Sequence, residues 1–94
     1  MLVRIVRMTF RKDSLSEFRE IFDRSKDLIS EFPGCTHLEL WQDAGQENVM
    51  TTYSIWESQE ALDAYRESLL FRNTWEKAKR LFDQPAIAAS YRTE

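Results

Sequence analysis

Residues 53–58, Tyr53-Ser54-Ile55-Trp56-Glu57-Ser58, read as a strand that runs directly into a helix. In extended chain Tyr53 and Ile55 point to one face, and Ser54 and Trp56 to the other, because strand side chains alternate. Ser58 is placed to cap the N-terminus of a helix beginning Gln59-Glu60-Ala61-Leu62, with Glu60 near its positive end. Trp56 therefore stands where the last strand residues meet the next helix, on a face shared with Met50, Thr52 and Ser54. An indole in that position either plugs a core or walls a cavity, and the functional reading turns on which.

Working outward, Val49 to Trp56 is the whole of that strand. Asp43-Ala44-Gly45-Gln46-Glu47-Asn48 before it is a hairpin loop, which makes Cys35 to Gln42 its partner strand. In that partner Thr36, Leu38 and Leu40 share one face, and Cys35, His37, Glu39 and Trp41 the other. Upstream, Pro33-Gly34 stops a helix whose apolar residues Leu15, Phe18, Ile21, Phe22, Leu28, Ile29 and Phe32 repeat at about 3.6 residues. Ser14-Leu15-Ser16-Glu17 matches a capping box at its start. Leu2 to Phe10 alternates, with Arg4 set among Leu2, Val6, Met8 and Phe10, and with Val3, Ile5, Arg7 and Thr9 opposite. Downstream, the helix opened by Ser58 turns Ala61, Leu62 and Tyr65 inward. Ser68 is a second cap, for a helix with Phe71, Trp75, Ala78, Leu81 and Phe82 on one stripe. Pro85 breaks that helix, and Ala86 to Arg92 is a final strand.

The order is β-α-β-β-α-β with the second helical segment broken in two, the ferredoxin-like pattern of the α+β class. It predicts a four-stranded antiparallel sheet with the helices on one face. The other face carries Tyr53, Ile55 and further apolar residues. Left bare, it would be a large apolar patch of the kind that marks an interface. A homodimer joined sheet to sheet is expected.

The 94 residues make one domain, residues 1–94. Six Phe, three Trp and three Tyr in so short a chain supply stiff, flat walls for a pocket or an interface. The formal net charge of −3, with no continuously basic face, argues against nucleic acid. No apolar run approaches the roughly 20 residues needed to span a bilayer. The arginines inside Met1 to Arg7 argue against a signal peptide. A lone Cys35 excludes an internal disulfide and fits a reducing cytoplasm. The lone His37 and the acidic residues show no metal-ligand spacing.

The chain resembles the antibiotic biosynthesis monooxygenase family of dimeric α+β barrel proteins. The resemblance is carried by Phe32-Pro33-Gly34-Cys35, by Tyr53-Ser54-Ile55-Trp56-Glu57-Ser58 with Ala61-Leu62, and by Ser68-Leu69-Leu70-Phe71. It covers nearly all the sequence. Members of the cofactor-free branch oxidise phenolic or anthrone-like aromatics to quinones with oxygen, in a dry pocket whose groups deprotonate the substrate. The family tryptophan maps onto Trp56. Where actinorhodin-type enzymes have an asparagine four residues earlier, this chain has Thr52; their tyrosine falls on Leu62, with Tyr65 one helical turn further. In the haem-degrading branch the iron-binding histidine position corresponds to Trp75 and a strand asparagine to Val6, so haem is not expected. With no Gly-rich phosphate loop, flavin is not expected either.

The site residues expected are His37 and Tyr65 for the proton, and Trp56, Thr52, Trp75 and Phe71 for a small aromatic substrate. Each has a plainer alternative. Trp56, Tyr65, Trp75 and Phe71 lie on inward stripes that core residues also occupy. Histidine is the residue type suited to moving a proton near neutrality, and Glu39 shares the strand face of His37; the alternative is an exposed or interface strand histidine. Arg4 and Arg7 are expected in interface or surface ion pairs, with anion binding the lesser alternative. Cys35 has no cationic neighbour to activate it. The leading expectation is a cofactor-independent monooxygenase; the other is a non-catalytic dimeric domain that binds a metabolite or packs its aromatics as core.

Overall fold

A computed structural model describes residues 1–94. Strand β1 (Leu2–Phe10) leads through a single 3-10 turn into helix α1 (Leu15–Ser30). The hairpin β2 (Cys35–Gln42) and β3 (Val49–Trp56) follows, then helices α2 (Gln59–Glu67) and α3 (Leu69–Lys79), then strand β4 (Phe82–Arg92). The sheet order is β2-β3-β1-β4 and all pairings are antiparallel. This is the ferredoxin-like α+β fold, with the helices covering one sheet face. No helix is long and apolar enough to cross a membrane.

The caps that frame the central stretch form as their sequence dictates. Ser58 Oγ accepts from the Ala61 amide at 3.1 Å, and Ser68 Oγ from the Phe71 amide at 3.1 Å. Two adjacent caps divide the second helical segment into α2 and α3, because each hydroxyl satisfies amides that no preceding turn can reach. At Asp43, one carboxylate oxygen accepts from the amides of Gly45 and Gln46 at 3.0 Å each, which closes the hairpin loop.

Gly34 turns the chain from α1 into β2 with φ +89°. Its carbonyl accepts from the Glu57 amide at 2.8 Å, tying this turn to the end of β3. A Cβ there would lie 2.4 Å from the Ala61 Cβ. Gly34→Ala therefore combines a left-handed backbone with a clash against α2. It is expected to lower unfolding free energy by about 2–4 kcal/mol, read from urea denaturation.

Four local expectations are corrected. The Ser14–Glu17 capping box does not form: Ser14 lies in the 3-10 turn and its hydroxyl bonds the Asp13 carboxylate instead. Leu28 is not on the buried stripe but 58 % exposed; Ser25 is buried on that side, its hydroxyl donating to the Ile21 carbonyl at 2.7 Å. Helix α3 stops at Lys79, and β4 starts at Phe82, so Pro85 lies inside a strand rather than before one. This is tolerated because β4 is an edge strand and its register against β1 shifts between Arg7 and Thr9, where the missing amide is not needed. Last, a bulge between Cys35 and His37 breaks the alternation of β2. Cys35 thereby packs with the cluster of Leu2, Trp56 and Leu62 on the helix side, and burial holds its thiol above the ordinary range.

The buried core is split. Met8, Phe10, Phe18, Met50, Ala78 and Leu81 form one cluster, and Leu2, Trp56 and Leu62 another. Between the two lies a cavity.

Candidate functional site

The cavity has a volume of about 260 Å³ and is lined by both clusters, by all four strands and by all three helices. Its floor is the helix-side face of the sheet, where alternation presents Arg4, Val6 and Met8 of β1, Thr52, Ser54 and Trp56 of β3, and Ala86 and Ala88 of β4. Threonine, serine and two alanines on that floor are too small to fill the space below the helices. The walls cannot close over the gap, because they are a chain of mutually braced rings. Tyr65 stacks on Trp56 at 4.9 Å between ring centroids, Phe71 meets Tyr65 edge-on at 5.3 Å, and Trp75 stacks on Phe71 at 5.7 Å. Stacked and edge-on arrangements are the favoured geometries for aromatic pairs, so each ring braces the next. Apolar cavities of about 150 Å³ already hold a single benzene ring, so this one has room for a small multi-ring aromatic.

Five of the six expected site residues come together here: Trp56, Thr52, Tyr65, Phe71 and Trp75. Trp56 is 1 % exposed, and its indole Nε1 donates to Ser54 Oγ at 3.0 Å. It is wall and core at once. Burial pushes the Tyr65 phenol well above its ordinary pKa, with the nearby Cys35 thiol adding to the shift. Tyr65 therefore stays protonated at neutral pH and can donate a hydrogen bond but not act as a base.

His37 is not brought to this cavity. The register pairs it with Ile55, on the open face of the sheet, so the sheet itself lies between its imidazole and Trp56. There His37 Nε2 bonds one oxygen of Glu39, and Trp41 Nε1 donates to the other at 2.8 Å. The bond to His37, then that from Trp41, hold the Glu39 carboxyl below its usual range. Tyr53 stacks on Trp41 at 4.8 Å and meets His37 edge-on.

The cavity also includes two cations, of which Arg4 is expected from sequence in an ion pair and Arg66 carries no sequence expectation. Arg4 lines its floor and Arg66 its rim. Arg7, on the other face, pairs with Asp43 at 3.9 Å, as an interface or surface arginine would. Arg4 makes no such pair; its guanidinium donates to Ser90 Oγ at 3.0 Å. The available signal was its position, a charge set in an otherwise apolar strand face. No three or more His, Cys, Asp or Glu side chains are grouped to hold a metal ion.

Fold and cavity together define a class: a small ferredoxin-like α+β domain that encloses an aromatic-walled site between its sheet and its helices. The antibiotic biosynthesis monooxygenase profile matches residues 1–77, and the chain belongs to that family. No curated protein matches it. Among solved structures, a conserved protein from Methanosarcina mazei is 17 % identical, with a TM-score of 0.93 over 100 % of this chain and 94 % of the other. Rv0793 from Mycobacterium tuberculosis is 22 % identical, with a TM-score of 0.91 over 99 % and 94 %. SnoaB from Streptomyces nogalater, a cofactor-independent oxygenase, is 15 % identical, with a TM-score of 0.87 over 99 % and 92 %. At these identities the likeness is one of fold.

Proposed function

We propose that this protein is a homodimeric, cofactor-independent monooxygenase that converts a small phenolic or anthrone-like aromatic to a quinone. The observation that carries this reading is the cavity of about 260 Å³ walled by Trp56, Tyr65, Phe71 and Trp75. The substrate ring lies among these aromatics, with Thr52 and Tyr65 hydrogen-bonding its oxygen. The substrate first loses its hydroxyl proton to solvent. The resulting anion passes one electron to dioxygen, and the radical pair joins at a ring carbon as a peroxide, which takes the proton back. Loss of water leaves the quinone, so one substrate and one O₂ give one quinone and one H₂O. The protein's part is to hold the ring in an apolar site and to stabilise the anion.

The test is oxygen uptake with anthrone. Wild-type protein should consume oxygen and release anthraquinone in equal amounts. Ala88→Trp should abolish uptake by plugging the cavity at the edge strand while the fold survives, since tryptophan suits a strand position. Binding of anthrone without oxygen consumption would instead assign the chain to the non-catalytic binding domains of this fold.

The dimer half of the reading rests on the open face. Ile87 is 67 % exposed there, with Tyr91 exposed on the same edge strand and Trp41 on the opposite edge, and register places Val3, Ile5 and Ile55 between the two edges. His37 and Glu39 belong to this surface and fall within the subunit contact. Light scattering should return twice the chain mass. Ile5→Asp, which would bury an unpaired carboxylate in the contact, should weaken association by about 10²-fold or more. A wild-type monomer at micromolar concentration would remove the dimer from the proposal.

A further inference from the structure

The cavity holds an electrostatic asymmetry that an aromatic box does not explain. The chain is acidic, with a net charge of −3, yet no carboxylate lines the cavity while two arginines do. None of the four ion pairs in the structure involves Arg4 or Arg66. Arg4 is only half exposed, and its one side-chain partner is the neutral hydroxyl of Ser90. Arg66, one residue past Tyr65 on α2, and Ala88 on β4 are exposed lining residues, so the cavity opens between them. Ser90, next on that face of β4, is the register partner of Arg4. The two guanidinium groups therefore flank the opening, one from the sheet and one from the helix above it.

Holding two like charges over an apolar cavity is unfavourable without a counter-charge. The guanidinium of Arg4 is accordingly held below its ordinary pKa, first by burial and then by the field of Arg66. It stays charged at neutral pH, because arginine does not lose its proton in proteins. Guanidinium groups bind planar oxyanions through charge-assisted hydrogen bonds. The apolar body of a ligand then lies deeper, against the stacked rings.

We propose that Arg4 and Arg66 form an anion clamp at the mouth of the cavity, and that its ligand is a flat aromatic carrying one ionised oxygen group directed at this pair. The clamp deepens the oxygenase reading and rests on the same cavity. It answers a question that reading leaves open: with His37 across the sheet and Tyr65 fixed in its protonated form, no side chain in the cavity is a base near neutrality. The clamp makes one unnecessary, because it lowers the pKa of the bound hydroxyl and lets the proton leave to water.

The test uses three two-ring probes followed by quenching of tryptophan fluorescence: 2-naphthoate, 2-naphthol and the neutral 2-methoxynaphthalene. Wild-type protein should bind naphthoate about 10- to 100-fold more tightly than methoxynaphthalene, the range expected for hydrogen bonds to a charged group. Arg4→Met and Arg66→Met should each remove most of that preference while leaving the neutral probe unaffected. Arg66 is exposed, so its replacement leaves the fold intact whatever happens at Arg4. Bound 2-naphthol should show naphtholate absorbance at a pH where the free probe is neutral, and that shift should vanish in both variants. A naphthoate preference without the naphthol shift would keep the clamp and assign it to a carboxylate. Equal binding of all three probes, no naphthoate binding, or wild-type naphthoate affinity in both arginine variants would overturn it. Oxygen uptake separates the two proposals: arginine-dependent naphthoate binding without oxygen consumption keeps the clamp and removes the oxygenase.

Discussion

Trp56→Ala is expected to lower the free energy of unfolding by about 3–5 kcal/mol, the range for deleting a fully buried large aromatic. The reason is that Trp56 borders a cavity without being exposed by it. The indole is 1 % exposed, stacks on Tyr65, meets Phe32 edge-on and packs against Leu2 and Leu62. Its removal also leaves the buried Ser54 hydroxyl without the indole Nε1 partner, a further desolvation cost. From sequence, a cavity-wall tryptophan is expected to affect ligand binding more than stability; its burial predicts a large loss in both. Denaturant unfolding of the variant, with an unchanged dependence on denaturant concentration, gives the stability term. A loss below about 1 kcal/mol would show that the indole is not part of the core. Trp56→Phe, which keeps a ring but not the Nε1 donor, should fall between.

Tyr65→Phe is expected to lower turnover on an anthrone or naphthol by about 10²–10³-fold, the loss that follows removal of one preorganised donor to a developing oxyanion. Stability at neutral pH should barely change, because phenylalanine preserves the stack on Trp56 and the edge contacts to Phe32 and Phe71. The raised pKa of Tyr65 also has a sign that can be read. The folded state holds this proton more tightly than the unfolded chain, whose phenol ionises near 10.0. The stability so contributed is fully present below pH 10 and is lost as pH rises through the higher folded value. Wild-type stability should therefore fall on the alkaline side more steeply than that of Tyr65→Phe. Equal alkaline slopes would mean that the phenol is not held in its neutral form. Unchanged turnover in the variant would leave stabilisation of the substrate anion to Arg4, Arg66 and Thr52.

Local chemistry in the sequence is enough for the architecture. Ser58 and Ser68 announce both caps, the hairpin loop announces itself at Asp43 to Asn48, and Pro33-Gly34 marks the end of α1. Those signals depend on neighbours within a few residues, and the structure honours them. The failures are places where a distant partner decides. Pro85 reads as a stop, but an edge strand with a register shift has no use for its missing amide. Cys35 reads as a neighbour of His37, but the bulge puts it against Trp56.

The cavity divides along the same line. Period-two alternation in β3 places Thr52 and Trp56 on one face, and the turn spacing of α2 and α3 places Tyr65, Phe71 and Trp75 inward; both are properties of the chain taken segment by segment. Whether those rings meet or leave a gap depends on what the sheet presents beneath them, and that floor comes from β1, β3 and β4 together. The small side chains of Thr52 and Ser54 on β3 and of Ala86 and Ala88 on β4, 30 or more positions apart in the chain, come to one floor only because both strands pair with β1, one on each side. The separation of His37 from the cavity and the pairing of Arg4 with Arg66 likewise arise only when the hairpin and helix α2 are laid against β1. Side-chain type and periodicity settle which face a residue takes; the packing of non-local elements settles what stands across from it.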